Sequence, residues 1–224
     1  MRSKPRLFTG KVLLLCMIAA LIMTGCSKFN AEEFVQAYLS LWMQGEADDA
    51  ASLNKEKTRS ELLKDYETRV FAFDEVYITG DMKMDDQMLN NYLKLTKDIF
   101  STMRYQVKGA DKNDDIYEVT VEITTVNLFE EYVSKLQKLS EDMMTALKNG
   151  EYQGTDDQIN EQLQAEYVYI AYDLLAESYT NMEYGDKKTV TMHVEKNEDG
   201  DYEIREDDIS EMLIKMLCLD EITG

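Results

Sequence analysis

From residue 29 onward the chain alternates between two hydrophobic periods. Phe34, Val35, Tyr38, Leu41 and Trp42 recur at three- and four-residue spacing, which predicts an amphipathic helix ending near Gly45. Asn30 stands at its start as an N-cap, with Glu33 placed for a capping box and Phe29 for a hydrophobic staple. A short helix is expected in EADDAASLN and a longer one in TRSELLKDYETRVFAFDEVY, where Leu62, Tyr66, Val70 and Phe73 align. Another is expected from Asp85, carrying Met88, Leu89, Tyr92, Leu95, Ile99 and Phe100.

The period then falls to two. Tyr105 and Val107, followed by Tyr117, Val119, Val121 and Ile123, alternate with polar neighbours, predicting a hairpin around a polar turn at Asp111 to Asp115. A long helical hairpin follows, from about Leu128 to Lys148 and from about Thr155 to Met182, broken at Asn149-Gly150. A second strand pair sets Val190, Met192 and Val194 opposite Tyr202 and Ile204 across Asp199-Gly200, read as a type I′ turn. A last helix runs from Asp207 or Ser210 to about Leu219. Helices segregated from antiparallel hairpins give a helix-rich α+β fold. The N-terminal helices come first, and two hairpins form one sheet with the helical hairpin inserted between them.

The first 26 residues follow a different rule. Arg2, Lys4, Arg6 and Lys11 precede the unbroken apolar run Val12 to Met23, the order of a secretory signal. That run is 12 residues long, whereas about 20 are needed to span a bilayer. At its end Met23-Thr24-Gly25-Cys26 resembles the lipobox of bacterial lipoproteins, with Met23 where leucine is usual. The resemblance implies a signal peptide over 1–25, cleavage before Cys26 and lipidation of Cys26, palmitate included. Residues 26–29 would then form a short tether to a single domain over 30–224. Two or more acyl chains on one residue hold a protein stably to a bilayer. The implied place is the extracytoplasmic face of the cell membrane. Ser27 to Phe29 would supply only about 10–14 Å of extended chain.

The sequence FNAEEFVQAYL over 29–39, with Gly45-Glu46 and Val126-Asn127 later, is similar to uncharacterised lipoproteins of Gram-positive Firmicutes of cystatin-like or NTF2-like type. That similarity implies a cone-shaped fold with a pocket between sheet and helices.

Charge narrows the function. The chain has 24 Lys and Arg against 44 Asp and Glu, a net charge of −20. Loss of the signal removes four bases and no acid, leaving 20 against 44. Nucleic acid is excluded as a partner, because its recognition relies on bases that neutralise phosphate. Of three cysteines only Cys218 would stay a thiol, so no internal disulfide is expected, and its apolar surroundings suggest a small buried residue.

Candidate catalytic chemistry is sparse. His193 is the only histidine, which leaves no histidine metal site and no triad, and no phosphate-binding glycine motif occurs. Asp111, Asn113, Asp115 and Glu122 have the spacing of a calcium loop, but Ile116 stands where such a loop needs glycine. The pairs Asp48-Asp49, Asp85-Asp86, Asp156-Asp157 and Asp207-Asp208 sit at predicted helix starts, where negative charge favours the dipole. No catalytic residue, metal or cofactor is therefore expected.

The remaining candidates are aromatic. In the 166–185 segment Val168, Tyr172, Leu175, Tyr179 and Met182 fall on one helix face, and Tyr167 and Tyr169 lie off it. Tyr167, Tyr169, Tyr172 and Tyr179 are the expected ligand-binding residues, since half-exposed tyrosines suit recognition of a peptide, glycan or protein. The leading expectation is a non-enzymatic binding or interaction module of the cell envelope, with a protein or cell-wall partner. One alternative is a hydrolase of cell-wall glycans using two converging carboxylates. The other is a protein with an enclosed small-ligand pocket of Tyr and Met.

Overall fold

The computed structural model describes residues 29–221. The signal segment, the lipidation residue Cys26 and the tether up to Lys28 lie outside the described residues. Seven α-helices and four strands follow one another as α1 Ala31–Gln44, α2 Asp48–Leu53, α3 Arg59–Asp74, α4 Asp86–Ser101, β1 Tyr105–Asn113, β2 Ile116–Val126, α5 Leu128–Lys148, α6 Asp156–Asn181, β3 Tyr184–Lys196, β4 Tyr202–Ile204 and α7 Glu206–Met216. A π-helical turn, Glu75–Thr79, continues α3, and a 3₁₀ turn covers Leu219–Glu221. The fold is α+β and helix-rich, with one antiparallel sheet in the order β1-β2-β3-β4 and the α5–α6 hairpin inserted between its two halves.

The sheet is one-sided. Val119, Val121 and Ile123 of β2 pair in register with Met192, Val190 and Lys188 of β3, and the first three, with Val190, Met192 and Val194, are buried. The intervening positions face the other side, where Lys187, Thr189 and Thr191 of β3 are exposed and Glu118, Thr120 and Glu122 of β2 half-buried. This is the alternation of an antiparallel sheet packed on one side only. There Glu122 lies 3.2 Å from Lys108 Nζ and 2.8 Å from Lys187 Nζ, and both lysines hold its carboxyl below the usual range.

On the apolar face α1 crosses the sheet, burying Phe34, Val35, Leu39 and Leu41, with Ser40 Oγ 3.3 Å from the Tyr105 hydroxyl. Beside it α7 buries Ile209, Met212 and Met216. Helix α4 packs on α1 and α3, and α6 packs on α4, while α5 enters the core at its start, where Leu128, Phe129 and Tyr132 are buried and Phe129 meets Phe73 of α3. Lys135 binds the hairpin's two halves together, 2.7 Å from Glu131 on α5 and 3.0 Å from Glu177 on α6.

Three local expectations are corrected. The β3–β4 connection is not a type I′ turn. Gly200 N–H donates to the Asn197 carbonyl and Asn197 N–H to that of Asp201, while Gly200 alone takes positive φ, giving a three-residue loop. The Asn197 side chain accepts the amides of Asp199 and Asp201, which is why these oxygens gather there. Secondly, β3 begins at Tyr184, ahead of the visible alternation, and Val190 and Met192 pair with β2 and not β4. Its start needs Gly185, since a Cβ there would come within 2.6 Å of Thr125 Oγ1. Thirdly, Cys218 is half-buried and takes φ 52°, so it turns the chain after α7.

The acidic pairs serve helix starts. Asp85 accepts the Met88 amide at 2.8 Å, and the other pairs occupy first turns. Asp208 does more: its carboxylate accepts the His193 amide at 2.6 Å and lies 2.9 Å from His193 Nδ1, closing the strand edge where β4 ends.

A one-sided sheet makes a stability prediction. Ile123→Ala should cost about 2–5 kcal/mol in denaturant unfolding, and Thr191→Ala on the open face less than about 0.5 kcal/mol. Equal effects would contradict the assignment of faces.

Candidate functional site

Two adjoining hollows open between the 81–88 segment and the α5–α6 hairpin. One, of about 290 Å³, is lined by Asp81, Met82 and Lys83, by Ser140, Met143 and Met144 of α5, and by Leu163, Gln164, Tyr167 and Val168 of α6. The other, of about 410 Å³, is lined by Lys83, Met84, Asp85, Met88, Ala165, Val168 and Tyr169. They share Lys83 and Val168, which makes them one groove. Met144 is 52% exposed and Tyr169 54%, high values for large apolar side chains.

Local structure builds each wall. The π-turn closes with the Gly80 amide donating to the Glu75 carbonyl, and Gly80 takes φ 50°. The chain then passes through a turn and a segment without regular structure to Asp85, whose cap on Met88 fixes where α4 starts and so places Met82, Met84 and Met88 along one lip. On the opposite wall Asn149-Gly150 ends α5, with Gly150 at φ 73°. Thr155 begins α6 through a capping box with Gln158.

The four tyrosines separate into two pairs. Tyr167 and Tyr169 flank Val168 and line one hollow each. Tyr172 and Tyr179 turn toward α4: Tyr172 meets the Tyr92 ring edge-on at 5.3 Å, and the Tyr179 hydroxyl reaches the Asp98 carbonyl at 3.5 Å. The buried stripe of α6 is Val168, Ala171, Leu175 and Ser178, one step round from the predicted face. A lining of Tyr and Met was expected only for an enclosed pocket, and the positions of the groove methionines were not named. Their signal was the spacing of Met82, Met84 and Met88 and the pair Met143-Met144, in a chain with 14 methionines.

Beneath the groove lies a buried polar cluster. The Tyr92 hydroxyl donates to the Val168 carbonyl at 2.8 Å, pinning α4 to the groove floor. Asp74, at the junction of α3 and the π-turn, is 1% exposed. Its Oδ1 accepts from Thr96 Oγ1 at 2.7 Å, while Oδ2 and the Tyr132 hydroxyl have no hydrogen-bond partner among the described residues. Burial raises the Asp74 carboxyl, against hydrogen bonds from Thr96 and Thr79 that lower it. The Tyr92 and Tyr132 phenols are also pushed far up, by burial first and then by their neighbours, Asp74 included. Asp74 was missed in the sequence, where its only signal is that position 74 continues the buried spacing of Tyr66 and Val70.

Chemically, the groove offers thioethers, phenol rings and aliphatic carbon, with Asp81, Asp85 and Lys83 at the lip. Methionine's flexible, polarisable chain adapts to varied apolar partners. The calcium-loop residues do not gather: Asp111 and Asn113 lie in β1 and Glu122 in β2. Among the described residues no three His, Cys, Asp or Glu side chains are grouped to hold a metal ion, and no helix is long and apolar enough to cross a membrane.

No protein-family model matches the chain, and no curated protein matches it. Among solved structures it is similar to a Bacillus subtilis subsp. subtilis str. 168 protein described as a "putative lipoprotein (ycdA)". The TM-score is 0.55 at 16% identity, over 83% of this chain and 55% of that one. The chain thus spans about half the length of the protein it matches, and at this identity the likeness shows the fold.

The buried acid sets a pH dependence. Raised in the folded state, Asp74 favours stability below its unfolded value near 3.8, and that contribution is lost as pH rises through the folded value. Asp74→Asn should therefore raise stability at pH 7 relative to the parent protein. The gain should shrink toward zero below pH ~4 in thermal unfolding. A pH-independent difference would contradict this.

Proposed function

We propose that this is a membrane-anchored extracytoplasmic lipoprotein, tethered through Cys26, whose folded part is a non-enzymatic binding module of the cell envelope. Recognition occurs in the groove over Val168. The observation that carries this reading is the groove itself: an apolar concavity whose exposed large apolar members are Met144 and Tyr169, on a base fixed by a buried hydrogen bond. Contiguous apolar surface rimmed by polar residues marks interaction sites on folded domains. The lining supports binding and not reaction, since its thioethers and phenols pack against a ligand.

Anchoring is supported by the basic head, apolar run and Thr24-Gly25-Cys26 sequence, and the structural neighbour described as a lipoprotein agrees with it. The similarity of residues 29–39 to Firmicutes lipoproteins supports a cystatin-like or NTF2-like origin for the sheet and α1. The small-ligand alternative called for an enclosed cavity between sheet and helices. The observed hollows are open and lie on the helical hairpin, which favours a larger partner.

Two experiments test this reading. Cys26→Ser should release the protein from the membrane fraction, and unchanged retention would contradict the anchor. A photoreactive residue at Tyr169 should give discrete cross-linked adducts in intact cells, and one at Thr191 on the open sheet face should not. No adducts, or the same adducts from both positions, would contradict the groove.

A further inference from the structure

The charge around the groove says what kind of partner fits it. Of the three charged residues on its lip, Asp81 and Asp85 are acidic and only Lys83 is basic. The helices that form the opposite wall carry exposed Glu141, Glu161, Glu166 and Asp173 near the lining positions 140–144 and 163–169, with Glu166 accepting from the Tyr152 hydroxyl and the nearby Lys138 paired with Asp142. The whole chain carries −20, so the long-range field at the groove is negative as well. A neutral apolar ligand would use the floor and waste this rim. An anionic one would be repelled by it.

Shape adds a second constraint. The groove is walled by side chains from α5, α6 and the 81–88 segment and contains no strand edge, so it has no backbone ladder to offer an extended peptide. It instead has two apolar hollows in series, separated by Val168. A helix meets such a surface with anchors at i, i+3 or i+4 and i+7. The surrounding methionines adjust to the anchors, and the Tyr167 and Tyr169 rings can receive a Lys or Arg as well as an apolar chain.

On these grounds, and resting on the binding role proposed for the groove, we infer that its partner is a cationic amphipathic α-helix of another protein. The apolar stripe of that helix fills the two hollows, and its lysines or arginines face Asp81, Asp85 and the acids of α5 and α6. Recognition combines a Met-rich apolar floor with complementary charge at the rim. The charge should speed association and weaken with salt, and the floor should set how long the complex lasts.

The test uses the full-length protein in phosphatidylcholine nanodiscs, with empty nanodiscs as the reference. The probes are four fluorescent ligands: a helical Leu/Lys 18-mer, its Leu/Glu counterpart, a Leu/Lys isomer whose helix is broken by proline, and dodecyltrimethylammonium. The inference expects saturable binding of the helical Leu/Lys peptide alone. Met144→Asp should weaken it about tenfold, as loss of an anchoring contact does, and Asp81→Lys should weaken it with a shallower salt dependence. Circular dichroism of each variant confirms that it is folded. Equal binding of the broken peptide or the small amphiphile would overturn the helix. Equal binding of the Leu/Glu peptide would overturn the charge argument, and binding untouched by Met144→Asp would overturn the location. If Tyr169 cross-links to a partner in cells but no cationic helix binds, this inference fails and the binding role stands. Absence of Tyr169 adducts removes the binding role itself.

Discussion

The hydrogen bond from the Tyr92 hydroxyl to the Val168 carbonyl, 2.8 Å long and buried, joins residues 76 positions apart. The α5–α6 hairpin meets the sheet-bearing core in two places, through Phe129 of α5 against Phe73 of α3 and through α6 against α4, and this hydrogen bond fixes the second. Val168 also forms the divide between the two hollows of the groove. A phenol left unpaired in this position would cost on the order of 1–3 kcal/mol, which makes the alignment of the two helices specific as well as favourable. The edge-on contact of Tyr172 with Tyr92 guards the same alignment from one turn further along α6. The groove is therefore rigid in its floor and adaptable in its lining, the arrangement that suits a recognition surface.

Asp74 works in the opposite sense. A buried carboxyl with one oxygen bonded to Thr96 and the other without a partner among the described residues lowers stability. It sits where α3 passes into the π-turn, and π-turns recur where a helix has been widened at a functional position. The turn exposes Val76 and Tyr77, buries Ile78 and Thr79, and delivers the chain through Gly80 to the methionine lip. Cost and use are thus adjacent: the least comfortable residue of the core supports the segment that lines the groove.

Much of the fold could be read from the sequence because each element carries a clean period. The three-four spacing of Phe34 to Trp42 and the alternation of Val119, Val121 and Ile123 mark surfaces with one dry side, and Asn149-Gly150 marks the hairpin bend. Ends were legible where capping chemistry was explicit, as at Asp85 and Thr155. They were hidden where polar residues lie inside an element. Gly185 to Lys187 belong to β3 but point to water or accommodate Thr125, so they carry no alternation. The site was half legible. Tyr167 and Tyr169 stood out as aromatic residues off the buried face, whereas the methionines opposite them are brought close only by the folding of α5 and the 81–88 segment against α6. The turn of Tyr172 and Tyr179 toward α4 follows from that same packing and has no local sign.

The binding role requires that the groove be occupied by a partner in the cell. Methionine oxidation measures this directly, since a thioether reacts with peroxide in proportion to its access. Intact cells and purified full-length protein should be treated alike and each methionine followed by peptide mass spectrometry. Met144 and the half-buried Met82 and Met84 should oxidise more slowly on the cell than in the purified protein. Met182, half-buried but outside the groove, should oxidise at the same rate in both. Equal rates for all four methionines would show the groove open on the cell and contradict its role as a binding site.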